Sequence, residues 1–275
     1  MSNIEILWLA HLNRNADDAG SDSTINLTVN VDGEDVLDKN FGSNVGDGEA
    51  YLNGGSQLDT PFDAAGLTNS SVRVGVRGHD AWAPGDVLVF GHSLAEFQSG
   101  VAVPLAMESG LTAWLSTDYT EGPLTIPLRR VGPGDSNTLI QRLLLLVHTQ
   151  WSTSDSGTDS AIQLEVFLGE NLILREEIAD SSQSDLEKAS SNWYEMDAPI
   201  PFTRAELQAR GRIVLSILGD DAWKPMVLFV FGLDAASGRP NEVVSLVSRP
   251  VWGPRWMSSD ASEGDASVDL PITPG

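Results

Sequence analysis

The 275 residues carry 39 acidic against 16 basic side chains, for a formal charge of −23, and no cysteine. A field of that sign repels phosphate backbones, which sets nucleic acid aside as a partner, and the lack of thiols removes disulfides, thiolate metal sites and cysteine nucleophiles. A hydrophobic content of 41% is that of a globular chain, long enough here for one large or two ordinary domains.

The amino end, MSNIEILWLAHLN, has no basic head before its apolar run, so no secretory signal is expected there. No stretch approaches a membrane span, and LLLLV (143–147) is strand-sized. The expected setting is cytoplasmic or non-classically exported. With three lysines (Lys39, Lys188, Lys224) among so many acids, the surface also suits a protein kept soluble in high salt, as a halophilic protein is.

In chain order, Ile4–Ala10 is a first strand. TINLTVNV (24–31) alternates, with Ile25, Leu27, Val29 and Val31 on one face, the period of a half-buried strand. VRVGVR (72–77) is another, followed by a turn and the apolar VLVF. FGHSLAEFQSG (90–100) then spells Gly91-His92-Ser93-Leu94-Ala95, close to a nucleophile elbow, but Ala95 stands where that turn demands glycine. None of His11, His79, His92 and His148 sits in a motif that would make it the base for Ser93.

Pro and Gly in RVGPGDSNT (130–138) break regular structure, and beyond them the chain repeats itself. DAGSDSTINLTV (18–29) matches DSGTDSAIQLEV (155–166). PFDAAGL (61–67) matches PFTRAEL (201–207), GHDAWAPGDVLVFG (78–91) matches GDDAWKPMVLFVFG (219–232), and WLSTDYTEGPLTIPL (114–128) matches WMSSDASEGDASVDL (256–270). The blocks keep their order, as duplication with loop insertions leaves them, so two domains are expected, 1–131 and 138–275. FTRAELQARG (202–211) is the one convincing helix, with Thr203 and Glu206 at capping-box spacing and Gly211 ending it. Many short strands between Gly, Asp, Asn and Ser turns, with little helix, predict an all-β chain of two tandem antiparallel β-sandwiches of similar fold.

An Asp-x-Gly-(Ser/Thr)-Asp-Ser turn before an alternating strand, with Asp-Ala-Trp-x-Pro before a later one, resembles the PLAT sandwich of lipoxygenases, polycystins and bacterial phospholipase toxins. The residues that carry the likeness are Gly20–Ser23 with His79–Pro84, and Gly157–Ser160 with Asp220–Pro225. The segments 92–113 and 233–255 have no counterpart in that pattern.

Calcium is the cofactor these residues invite, because it is bound by carboxylates, carbonyls and water. Asp18 and Asp22 flank a glycine turn, and the resemblance implies that Asp80 joins them from a neighbouring loop; the second half offers Asp155, Asp159, Asp220 and Asp221. The competing reading is that Asp and Gly here simply make turns. Glu121 and Glu263, which recur, read as turn spelling. Trp82 and Trp223 suit a membrane interface in the PLAT resemblance but read better as core, as do Trp114 and Trp256; Trp151, Trp193 and Trp252 have no twins and are candidates for a contact surface. The function expected is a non-catalytic binding or assembly module, calcium-stabilised, self-associating or bridging protein partners. The alternatives are a calcium-dependent lipid-interface module and, remotely, acyl transfer by Ser93.

Overall fold

The computed structural model describes residues 3–42, 45–64, 70–95, 101–153, 155–179 and 186–274. The chain divides into two compact units, the first including Met1–Phe97 and Ala102–Pro133, the second including Gly134–Ser237 and Asn241–Gly275. It is an all-β protein of antiparallel sandwiches.

The first unit holds β1 (Asn3–Asn13), β2 (Thr24–Val31), β3 (Glu34–Phe41), β4 (Ala50–Asp63), β5 (Ser71–Arg77), β6 (Pro84–His92), β7 (Val103–Glu108), β8 (Thr125–Leu128) and the two-residue β9 (Gly132–Pro133). One sheet runs β7-β6-β1-β4 and the other β3-β2-β5-β8, every pair antiparallel. The alternation in β2 places Ile25, Leu27 and Val29 in a core with Leu7, Leu9, Val74, Val87 and Val89. On the opposite side of β2 the Asn26 amide donates to Asp38 Oδ1 at 2.9 Å and to the Lys39 carbonyl at 3.1 Å, a polar ladder that ties down the edge strand β3. β1 and β6 are buried along most of their length, which is why they read as continuous apolar runs instead of alternating ones.

The second unit holds β10 (Leu139–Thr149), β11 (Ile162–Leu168), β12 (Asn171–Ala179), β13 (Ser191–Thr203), α1 (Arg204–Arg210), β14 (Gly211–Ile217), β15 (Pro225–Leu233), β16 (Glu242–Arg249), β17 (Trp256–Met257), β18 (Gly264–Asp265) and β19 (Ser267–Leu270). Its sheets run β13-β10-β15-β16 and β12-β11-β14-β19. Exchanging each strand for its counterpart turns one unit's strand order into the other's. Even the registers correspond, since Leu7 opposes Gly91 and Leu143 opposes Gly232.

Helix α1 starts as its sequence spells it: Thr203 Oγ1 accepts the Glu206 N–H at 3.2 Å while the Glu206 carboxylate accepts the Thr203 N–H at 3.0 Å. Gly211 ends it at φ −110°, extended and not left-handed, and leads straight into β14. The matching segment of the first half falls partly at 65–69, outside the described residues.

The elbow-like stretch begins at the end of a strand. Gly91 and His92 are the last residues of β6, Ser93 follows with 8% of its surface exposed, and no helix begins at 93–95. The rest of that stretch, 96–100, lies outside the described residues. Gly91 is small because β1 runs against it: a Cβ there would stand 2.5 Å from the Ile4 side chain and 2.9 Å from the Ile6 carbonyl. The segments without counterpart in the PLAT pattern contribute β7 and β16, at matching places in the two units. Among the described residues no helix is long and apolar enough to cross a membrane.

Candidate functional site

At one end of each sandwich three loops converge: β1–β2, β5–β6, and the loop running from β7 to β8 in the first unit, with their counterparts in the second, where the third loop runs from β16 to β19. Two tryptophans anchor them. Trp82 and Trp223 are fully buried, and each is bridged to the third loop by a pair of backbone hydrogen bonds, Trp82 with Leu115 at 2.7 and 2.8 Å and Trp223 with Met257 at 2.8 Å both ways. Their indole N–H groups end on the last residue of the first strand: Trp82 Nε1 donates to Asn13 Oδ1 at 2.8 Å, and Trp223 Nε1 to Thr149 Oγ1 at 3.1 Å. Both are core residues.

The aspartates fasten these loops. Asp80 accepts the Asp22 N–H at 2.8 Å and the Ala81 N–H at 3.0 Å. Asp221 does the same for Asp159 at 3.1 Å and Ala222 at 2.9 Å. Behind them Ser23 Oγ accepts the Asp80 N–H at 2.8 Å, and Ser160 Oγ the Asp221 N–H at 3.0 Å. Asp18 and Asp155 adopt φ of 60° and 57°, the left-handed conformation that Asp tolerates better than most residues. Only the bonds of Asp80 to Ala81 and of Asp221 to Ala222 are local turn bonds; the others tie one loop to another.

The third loop is repeated bond for bond. Ser116 Oγ donates to Glu121 at 2.8 Å and accepts the Asp118 N–H at 3.0 Å, and Asp118 Oδ1 takes both the N–H and the hydroxyl of Thr120. In the second unit Ser258, Glu263, Asp260 and Ser262 repeat that set at 2.7 to 3.1 Å. These bonds hold Asp118 and Asp260 below the usual carboxylate range, the Thr120 N–H and then its hydroxyl acting on the first, the Ser262 hydroxyl and then its N–H on the second. Gly122 and Gly264 close the loop because a Cβ would collide with the carbonyl of Trp114 or Trp256.

What this scaffold encloses is an open cavity of about 680 Å³ in the first unit, lined by Asp18, Asp22, Asp47, Asp80, Trp114 and Glu121 among others. Its counterpart, about 480 Å³, is lined by Asp155, Asp220, Asp221, Ala222, Trp256 and Glu263. Five lining positions correspond: Asp18 with Asp155, Asp80 with Asp221, Ala81 with Ala222, Trp114 with Trp256, and Glu121 with Glu263. Of the seven predicted ligands, six line one cavity or the other. Asp159 does not, although its N–H is held by Asp221.

Trp114 and Trp256 depart from the core reading. They are half-buried, and the residues that enter the core are their neighbours Leu115 and Met257. Each presents a ring face to a cation of its own unit: the Arg14 guanidinium carbon lies 4.9 Å from the Trp114 ring centroid, and Lys224 Nζ 5.3 Å from that of Trp256. Arg14 comes from the loop after β1 and Lys224 from the loop before β15, so unrelated positions deliver a positive group to the same wall. Of the tryptophans without twins, Trp193 and Trp252 are 8% and 9% exposed, with Trp252 beneath Arg249, and only Trp151 stands out at 60%.

The first cavity has one wall the sequence did not announce. Asp47, in the β3–β4 loop, accepts the Asp18 N–H at 3.2 Å and also the Gly20 N–H. That loop is held in turn by the Asn13 amide on the Gly46 carbonyl at 2.7 Å and by the Tyr51 hydroxyl, which accepts the Gly46 N–H at 2.9 Å and donates to Glu49. Burial, then the bond to Glu49, pushes the Tyr51 phenol up to about 12.

Calcium needs several oxygens converging on one point. Among the described residues no three acidic or histidine side chains stand close enough to share an ion, and both oxygens of Asp80 and of Asp221 face backbone N–H groups. The arrangement does not fit a preformed metal site.

No family model and no curated protein matches the chain. One solved structure, the paired C2 domains of extended-synaptotagmin 2, aligns over 98% of this chain and 90% of its own at 10% identity and a TM-score of 0.18.

Proposed function

We propose that this protein is a non-catalytic binding module that offers two copies of one acidic, tryptophan-walled cavity to cationic side chains of a protein partner. The observation that carries this reading is the pair of equivalent cavities, each walled by a tryptophan and by three carboxylates at matching positions, whose tryptophans each stack with a cation of their own unit, Arg14 on Trp114 and Lys224 on Trp256. An arginine or lysine brought by a partner meets an indole and the same carboxylates, with the net charge of −23 steering it in. Two sites on one chain add avidity for a partner that presents basic residues in series.

Calcium and a lipid surface are weaker on the same grounds. The carboxylates of Asp80 and Asp221 are engaged with loop amides, and Trp82 and Trp223, which would enter a membrane, are in the core. In the sheets β3-β2-β5-β8 and β12-β11-β14-β19 the edge strands carry charges or proline, with Asp35, Asp38 and Lys39 on β3, Arg175, Glu176 and Glu177 on β12, and Pro127 on β8, which disfavours assembly by strand addition.

The test is a calorimetric titration of the full chain with an arginine-rich peptide, run beside Trp114→Leu and Trp256→Leu variants that leave the charge unchanged. The reading expects saturable binding that weakens roughly tenfold or more in each variant's cavity. Binding equal in all three proteins would reduce it to bulk charge attraction, and a chain that takes calcium chloride but no peptide would return the site to the metal.

A further inference from the structure

We propose that His11 is an acid-operated latch on the first cavity: its protonation releases the β3–β4 loop and so withdraws Asp47 from the cavity wall, while the second unit, which has no histidine there, keeps its cavity. The consequence for binding rests on the function proposed above; the latch itself is observable without any ligand.

The geometry is specific. The loop has two side-chain fastenings near Gly46, the Asn13 amide and the Tyr51 hydroxyl, and His11 touches both residues. Its Nδ1 lies 3.1 Å from Asn13 Oδ1, and its ring stacks on Tyr51 with centroids 5.1 Å apart and planes 17° from parallel. Its edge meets Trp82 at 5.1 Å, the same indole that donates to Asn13 Oδ1. His11 is fully buried, and its Nε2 has no hydrogen-bond partner among the described residues.

Neutral imidazole fits this niche with Nδ1–H donating to Asn13 and a bare lone pair on Nε2, which is tolerable in apolar surroundings. A second proton puts an N–H where nothing accepts it and a charge where no water reaches. Burial accordingly holds the His11 pKa at about 4, against the opposing pull of the Asn13 bond. The charged and titratable groups around it come from β4, from β6 and from its own chain segment. From β4, Tyr51 gives its hydroxyl proton to Glu49. From β6, Val87 is the residue opposite His11, and its neighbour Asp86 accepts the Gly110 N–H at 2.9 Å. On its own chain, Arg14 lies over Trp114.

Relief comes by letting water or a carbonyl reach Nε2, which requires the ring, and with it Asn13 and Tyr51, to shift. Both fastenings of Gly46 then go, followed by Asp47's hold on the Asp18 and Gly20 amides. The second unit supplies the contrast: Val147, opposite Leu228, takes the place of His11, and Thr149 that of Asn13.

The experiment is an NMR titration of the ligand-free full chain from neutral pH to about pH 3.5, following the His11 ring, the Gly46 amide and the two buried indoles. The proposal expects His11, Gly46 and the Trp82 indole to move with one midpoint near 4 while the Trp223 indole stays still. Protection of the Ser21 and Val45 amides, corrected for intrinsic exchange, should fall roughly tenfold. In His11→Phe, Gly46 and Trp82 should not move. The proposal is overturned if His11 titrates with the loop signals unchanged, or if Trp82 and Trp223 change together, which is acid unfolding. Should His11→Phe not fold, the comparison of the two indoles in the native chain decides alone. A chain that fails to bind basic peptide at neutral pH would remove the binding function and leave this titration untouched.

Discussion

Trp82 donates its indole N–H to Asn13, and across the repeat Trp223 donates to Thr149; the partner's chemistry changes from amide to hydroxyl while the place of the bond in the fold does not. Each tryptophan therefore joins the end of the first strand to the loops that form the cavity. Replacing Trp82 or Trp223 by Ala should cost about 3–5 kcal/mol of unfolding free energy, and replacement by Phe less, because the bulk is kept and one buried hydrogen bond is lost. Denaturant titration of the four variants measures this, and an Ala variant within about 1 kcal/mol of the parent would contradict the anchoring role.

The third loops give a prediction that separates scaffold from site. Ser116→Ala and Ser258→Ala remove the hydroxyl that both holds the glutamate and caps the following Asp turn. Each should destabilise by about 1 kcal/mol and loosen Glu121 or Glu263, lowering affinity for a basic peptide in that cavity alone. Thermal melting checks the first effect and peptide titration the second.

Arg14 covers one face of Trp114, beside the cavity that Trp114 lines. Gln150, which follows Thr149 as Arg14 follows Asn13, shows that the fold accepts an amide there. Arg14→Gln should thus tighten peptide binding to the first cavity several-fold, beyond what one removed positive charge gives at a remote position such as Arg73. Equal effects from the two substitutions, compared by calorimetry, would mean that the Trp114 face is not used.

His92 is buried against Trp8 and Phe90, and burial lowers its pKa to about 4. Because the unfolded chain binds that proton near pH 6.5 and the folded chain only near 4, stability is full above about pH 6.5 and declines as pH falls toward 4, by about 3 kcal/mol for this histidine. In His92→Leu that part of the acid loss should disappear from denaturation curves taken between neutral pH and about 4.

The sandwich strands were legible where alternation is clean, as in β2 and β11, and the cavity-forming loops were legible because they are written twice. The placement of Trp114 and Trp256 was not. Each adjoins an apolar residue, Leu115 or Met257, and moving the chain by one residue exchanges which of the two enters the core. Only the pairing of Leu115 with Trp82, and of Met257 with Trp223, decides it. Asp47 was hidden for another reason: it belongs to a loop outside every repeated block, so no twin marked it. β7 and β16 were missed because their short apolar runs lie in segments where the two halves no longer match residue for residue.

The measurement that bears most directly on the account is the stoichiometry and location of peptide binding, read from the indole N–H resonances of the full chain at neutral pH. Two equivalents of a short arginine peptide should bind, perturbing Trp114 and Trp256 and leaving the exposed Trp151 unmoved. Saturation at one equivalent would contradict the two-site account, and perturbation of Trp151 with both cavity tryptophans silent would show that the repeated cavities are scaffold alone.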